Sequence, residues 1–209
     1  MNALFEAIPF EENLLYERII SDISSQKYSI IDDFFSLDEI LILRASLLEK
    51  HKEDEFKKSA IGNRVNEVIK KAIRGDIILW IDETIANRAE SIFFNKINDL
   101  KAYLNRTCFM GINQKEFHYA IYPKGTYYKR HLDTFQNDDR RKLSIVCYLN
   151  HENWQPENGG ELVLYLDQEE KVIYPFPGKM VIFESQQLEH EVKPVNIPRY
   201  SITGWLKTR

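Results

Sequence analysis

Apolar residues recur on helical spacing in the first half of the chain and on alternating spacing in the second. From Glu11 to about Ser25, Leu15, Ile19 and Ile23 repeat every fourth position beside Leu14 and Arg18, which predicts a helix. Lys27 to Phe35 reads as a short buried strand. Ser36, with Glu39 three positions later, has the form of a capping box, and Leu37, Ile40, Leu41, Leu43, Leu47 and Leu48 carry an apolar face on to about Lys50. His51 to Lys58 reads as a solvated charged turn with His51 exposed. Ile61 to Trp80 reads as a loop, turning at Arg74-Gly75-Asp76 and entering a strand at Ile77-Ile78-Leu79-Trp80. Thr84 to Asn105 is predicted to be helical, with Ile85, Ala89, Ile92, Phe93, Ile97, Leu100 and Leu104 on one side.

From Glu116 onward the period changes. Short alternating runs separated by Gly, Pro, Asn and Asp predict strands over 116–122, 127–133, 142–149, 161–166, 171–174, 179–184, 190–195 and 199–207. Helices followed by strands imply an α+β chain with its helices on one face of the sheet system. Alternation also assigns faces. In Lys142 to Leu149, Leu143, Ile145, Cys147 and Leu149 form a core face, which turns Ser144, Val146 and Tyr148 toward a partly polar lumen. The same division places Arg199, Ser201, Thr203 and Trp205 inward, against Tyr200, Ile202 and Leu206.

Length and composition bound the picture. The 209 residues suit a single domain over 1–209, with 1–115 as a helical and mixed support region and 116–209 as the strand-built core. With 44% hydrophobic and 29% charged residues the balance is globular, and a net charge of −4 gives no general pull toward nucleic acid or an anionic membrane. Cys108 and Cys147 lie in apolar surroundings and read as reduced thiols. The amino terminus is acidic where a secretory signal would be basic and then apolar, and no run approaches the ~18 apolar residues of a membrane span. A cytoplasmic location follows as an expectation.

Three residues carry the candidate chemistry. His131 and Asp133 stand two apart in a predicted strand, so both side chains can face one ion. A third ligand must come from elsewhere, and His190, at the head of a later strand, is a good candidate. Two imidazoles and a carboxylate leave other coordination positions open, the arrangement of non-haem Fe(II) oxygenases. Arg199 is an inward cation with no acidic residue on its own strand face, so a bound anion is the natural partner, with Tyr122 and Tyr148 able to converge on the same carboxylate. His118 shares a strand face with Tyr122 and reads as a hydrogen-bonding neighbour rather than a ligand. Asp76, Arg141 and Trp205 are the candidates for substrate contact, with Arg141 placed to meet Asp76 at the cleft mouth and Trp205 packing the lumen.

Tyr122-Pro-x-Gly, His131-x-Asp133, Tyr148-Leu149-Asn150, Gly159-Gly160-Glu161-Leu162, Pro177-Gly178, His190-Glu191-Val192 and Arg199 through Trp205 resemble, in order, the catalytic domain of prolyl 4-hydroxylase-type 2-oxoglutarate/Fe(II) dioxygenases. Within them the hypoxia-inducible-factor prolyl hydroxylase branch and its bacterial relatives are most similar, and Ile73-Arg74-Gly75-Asp76 with Trp80 extends the likeness to about residues 60–209. The resemblance implies a double-stranded β-helix, or jelly roll. It implies Fe(II) on His131, Asp133 and His190, with the remote carboxylate of 2-oxoglutarate on Arg199 beside Tyr148 and Tyr122. It further implies O2 as oxidant, ascorbate as reductant, succinate and CO2 as products, and a prolyl residue in a protein or peptide as substrate. A free amino acid or other small molecule is the alternative substrate, and a catalytically silent binding module the alternative class. A nucleic-acid substrate is disfavoured by the negative charge and the lack of a basic aromatic stripe.

Overall fold

The computed structural model describes residues 11–58, 73–134 and 140–208. Helix α1 (Leu14–Gln26) starts at Asn13, whose side chain accepts hydrogen bonds from the N–H groups of Leu15 and Tyr16, and stops at Lys27 in a left-handed conformation with φ 73°. That turn delivers the chain into β1 (Tyr28–Ile31). Helix α2 (Leu37–Lys52) begins with the capping box formed by Ser36 and Glu39. It runs beyond Lys50, so 51–58 is not a single turn: it holds the helix end and the two-residue strand β2 (Lys57–Lys58). His51 is exposed there, with its ring edge-on to Phe56.

Strand β3 (Ile77–Ile81) occupies the apolar run after Asp76. Helix α3 (Arg88–Cys108) begins later than the apolar spacing from Thr84 indicated. Asp82 caps a 3-10 turn over Glu83–Ile85, and Asn87 with Glu90 forms a second capping box that starts the helix afresh, leaving Ile85 exposed. The readings of the amino-terminal stretch before Glu11 and of the loop over 61–72 lie outside the described residues.

The remaining strands fall on the segments predicted from alternation: β4 (Gln114–Tyr122), β5 (Tyr128–His131), β6 (Arg141–Tyr148), β7 (Leu162–Tyr165), β8 (Glu170–Ile173), β9 (Met180–Glu184), β10 (Glu189–Val192) and β11 (Arg199–Lys207). They form a seven-stranded sheet in the order β1-β9-β6-β11-β4-β3-β2 and a four-stranded sheet in the order β5-β10-β7-β8. The pairings are antiparallel and most neighbours are distant in sequence, which is the topology of a jelly roll. The N-terminal half therefore supplies both edges of the major sheet as well as the helices behind it.

Strand β6 shows how the two faces are used. Leu143, Ile145 and Cys147 share one core with Leu43, Phe93 and Ile97 of the helices, while Val146 and Tyr148 share another with Leu164 of the minor sheet and Phe183. The space between the sheets is thus walled by every second residue of β4, β6 and β11. Asn150 fixes the end of β6 against β11 by accepting from the Tyr200 N–H at 2.7 Å while donating to the Pro175 carbonyl at 2.7 Å. No helix among the described residues is long and apolar enough to cross a membrane.

The close contact of β11 with β4 depends on one missing side chain. A Cβ on Gly204 would lie 2.1 Å from the Glu116 carbonyl oxygen and 2.3 Å from the Phe117 ring. Gly204→Ala must push the two strands apart, and overpacking of this kind costs about 1–3 kcal/mol. A lowered midpoint in urea denaturation is the expected result; an unchanged midpoint would show that the strands yield freely.

Candidate metal centre and its cavity

The antiparallel register of β10 on β5 sets His190 opposite His131, and Asp133 follows two residues beyond the end of β5. Ligand atoms of these three residues all lie within 4.8 Å of one another. The imidazoles are aimed by their own backbone: His131 Nδ1 is 2.7 Å from the Lys129 carbonyl oxygen and His190 Nδ1 is 3.2 Å from that of Leu188. A carbonyl can only accept, so each Nδ1 carries a proton, which leaves the Nε2 of each ring as the atom a metal would take. Both Nε2 atoms point at Asp133, at 3.5 Å from Oδ1 for His131 and 3.5 Å from Oδ2 for His190.

Protonation favours binding of a cation. Burial pushes the His190 pKa down to about 4, which keeps the ring neutral. Burial alone would raise the Asp133 carboxyl, yet the neighbouring His190 and His131 and a 2.7 Å hydrogen bond from Ser144 Oγ outweigh it and hold the group well below the usual carboxylate range. Ser144 is steadied in turn by Ser185 at 2.8 Å. Neutral imidazoles and an ionised carboxylate are the ligating forms.

Arg199, at the start of β11 opposite Tyr122 of β4, is 1% exposed. Its guanidinium carbon lies 5.0 Å from the Tyr122 ring and 4.9 Å from the Tyr148 ring. Among the described residues its Nε has no hydrogen-bond partner, and Nη1 reaches the Ser201 hydroxyl at 3.4 Å. The buried Tyr148 hydroxyl is also without a partner. Among the described residues no carboxylate forms an ion pair with Arg199, and a desolvated cation in that state costs several kcal/mol unless an anion joins it. Burial raises the phenols of Tyr122 and Tyr148, the second against the opposing charge of Arg199, so both remain hydroxyl donors.

One cavity of about 670 Å³ joins these groups. His131, Asp133, His190, Arg199, Tyr122, Asp76, Arg141 and Trp205 all line it. Tyr148 is fully buried beside them, with its ring against the Arg199 guanidinium. At the rim Asp76 accepts from Arg74 at 2.8 and 2.6 Å, while Arg141 donates to Glu116 at 3.1 and 2.8 Å. Arg74 lies over Tyr128 at 4.4 Å, and Tyr128 stacks on His131 with ring centroids 3.6 Å apart. His118 is buried against Trp80 and Trp205 with its Nδ1 unpartnered, and burial first, then the charge of Arg74, pushes its pKa down to about 3. Sequence reasoning missed the parts played by Ser144, Glu116, Arg74 and Tyr128. For Ser144 a signal existed, since it lies on the lumen face of β6; Arg74 and Asp76 were noted together without their mutual ion pair.

Comparison with known proteins agrees with this geometry. Residues 117–207 match the model of the 2OG-Fe(II) oxygenase superfamily. The structure is similar to a Pseudomonas putida prolyl-4-hydroxylase, with 35% identity and TM-score 0.84, over 93% of this chain and 100% of that one. It is also similar to a Trichoplax adhaerens prolyl hydroxylase solved with a hypoxia-inducible-factor peptide fragment, with 26% identity and TM-score 0.85, over 92% of this chain and 89% of that one. Human Egl nine homolog 1 is 27% identical over 205 residues, which is 92% of this chain and 46% of the relative. The chain spans about half the length of the curated relatives it matches.

The donor set predicts one Fe(II) bound per chain. Ser144→Ala, which removes the hydrogen bond that orients Asp133, should weaken anaerobic Fe(II) binding about 10- to 100-fold, and His190→Ala should abolish it. Equilibrium dialysis with metal analysis checks both; full occupancy of the His190→Ala protein would reject the site.

Proposed function

The chain belongs to the prolyl 4-hydroxylase-type 2-oxoglutarate/Fe(II) oxygenases, and from that membership we propose that it hydroxylates a prolyl residue in a protein or peptide. The observation that carries the proposal is a buried Arg199 with no carboxylate partner among the described residues, in the same cavity as two histidines and a carboxylate. His131, Asp133 and His190 would hold the iron, which with 2-oxoglutarate and O2 would supply the oxidising chemistry for hydroxylating a C–H bond, with succinate and CO2 as the co-products.

The chain's own residues bind, orient and exclude water. Arg199 pairs with the carboxylate of 2-oxoglutarate remote from the metal, a charge-assisted contact strengthened by burial. Tyr148 and Tyr122 flank that guanidinium and offer protonated hydroxyls as donors. Ser144 holds Asp133 so that the carboxylate stays aimed between the two imidazoles. At the mouth, Trp80 is 48% exposed and Leu132 is partly exposed, which together give an apolar lip for a ring that has no strong hydrogen-bond handle.

A peptide suits the rim better than a free amino acid. The charges nearest the mouth are already joined as Arg74 with Asp76 and Arg141 with Glu116, whereas a zwitterion calls for an anion and a cation that it can claim for itself. The Trichoplax relative, solved with a peptide fragment, adds weight to the same choice.

Arg199→Ala should cost about 3–5 kcal/mol of 2-oxoglutarate binding by removing one partner of a buried ion pair. Isothermal titration would then show affinity lowered more than about a hundredfold with Fe(II) binding intact; unchanged affinity would move the anchor elsewhere. For the substrate, proteomic comparison of cells carrying the wild-type or the His131→Ala protein should reveal a gain of one oxygen atom on proline in the wild type alone. Turnover of free amino acids with no modified prolyl protein or peptide would refute the peptidyl reading and leave the iron chemistry in place.

A further inference from the structure

Beside the cavity rim, where β4, β11 and β6 lie side by side, three charged side chains meet. The register sets Glu116 of β4 opposite Trp205 of β11, and Lys207 of β11 opposite Arg141 of β6. Arg141 donates through Nε and Nη2 to one oxygen of Glu116, at 3.1 and 2.8 Å, and Lys207 donates to the other at 3.0 Å. The third corner of the guanidinium, Nη1, donates to the backbone carbonyl of Asp133 at 3.0 Å. The guanidinium carbon also stands 3.5 Å from the centre of the Trp205 ring, which forms part of the cavity wall.

The position of Asp133 gives these contacts their meaning. It lies beyond the last residue of β5, so no sheet ladder holds its main chain. Among the described residues the hydrogen bond from Arg141 is the one made to its backbone, while Ser144 serves the carboxylate. An arginine side chain has many rotamers, and its planar fork reaches a given carbonyl reliably only when its other corners are fixed. Glu116 fixes two of them and the Trp205 ring fixes the plane. Burial opposes ionisation of Glu116, but Arg141 and Lys207 prevail and hold its pKa below the ordinary value, so the charge that does the fixing persists.

We propose that Glu116 is a positioning residue for the metal centre: through Arg141 it holds the main chain of Asp133 in ligating position and backs the Trp205 wall with the same guanidinium. The inference rests on the iron-centre reading above and adds to it a residue that touches neither metal nor cavity. Metal affinity thereby depends on a carboxylate two bonding steps away, on a strand that contributes no ligand. Lys207 offers an internal control, because it engages the same carboxylate without reaching Asp133.

The test is Co(II) titration of the metal-free protein, followed by visible absorption, with thermal unfolding recorded for every variant. Glu116→Gln should weaken Co(II) binding about tenfold or more, the range seen when support of a metal ligand is lost. Arg141→Lys should do the same, and the double variant should lose no more than the larger single loss, since both act through one hydrogen bond. Lys207→Met, which leaves both Arg141 contacts to Glu116 in place, should lose less Co(II) affinity than either single variant. Glu116→Asp, still charged but too short to grip the fork, is expected to show part of the loss and replaces the glutamine variant if that one does not fold. Wild-type affinity in the Glu116 variants, or an equal loss in Lys207→Met, overturns the clamp while the iron centre stands. A wild-type chain with no Co(II) affinity overturns both readings.

Discussion

The pairing of β10 with β5 is the constraint on which the site depends. It is a short ladder on the edge side of the minor sheet, yet it alone brings His190 level with His131. Side chains on a strand alternate between faces, so a slip of one residue would turn His190 away from the cavity and Val192 with it. The ladder is reinforced from β7, whose Leu164 lies opposite His190, and from outside by the Arg130–Glu189 ion pair between β5 and β10. The Phe183 ring, reaching from the major sheet, packs edge-on to His190 with centroids 4.7 Å apart. Both sheets are therefore engaged in setting one imidazole.

A second constraint is burial. The interior that holds the donors is lined by alternate residues of facing strands, and Arg199, Asp133 and His190 are all buried there. The same burial acts oppositely on different groups. It keeps histidine and tyrosine neutral, and it makes the ionised Asp133 and Arg199 dependent on partners. The protein supplies Asp133 with partners of its own. For Arg199 it supplies aromatic faces and one distant hydroxyl, an arrangement that holds a cation ready for an anion from outside.

Much of this was legible in the residues, for reasons that differ by element. The strands from β4 onward announce themselves because one face of each meets a core and the other a polar lumen, which imposes a period of two. The inward Arg199 could be read because spacing within a strand fixes facing, and His131 with Asp133 because residues two apart stay within reach of one ion, whereas His190 was a candidate at the head of a later strand and the full set was implied by the family resemblance. Features that depend on pairing between distant segments could not. That β1 joins the major sheet is decided by β9, far along the chain, and the meeting of Tyr148 with Arg199 depends on the pairing of β6 with β11. The start of α3 was misplaced because apolar spacing continued through Ile85, while the stronger local signal, Asn87 with Glu90, lay just beyond it. Glu116 carried no signal at all, since its partners Arg141 and Lys207 come together only across β11.

The order of strands has a consequence for how the molecule is made. Strand β11 follows the other described strands in sequence, yet it occupies the middle of the seven-stranded sheet, between β6 and β4. Strand β1 precedes them and pairs with β9. Until β11 leaves the ribosome, β4 and β6 have no common partner and the edges that face it stay unpaired, a condition in which strands are prone to aggregate. Such remote pairings also make for slow folding. Arg199 heads that final strand, so the chain acquires its anion site and its structural keystone in one late event, and a nascent protein lacking it is unfinished at the centre rather than at an edge.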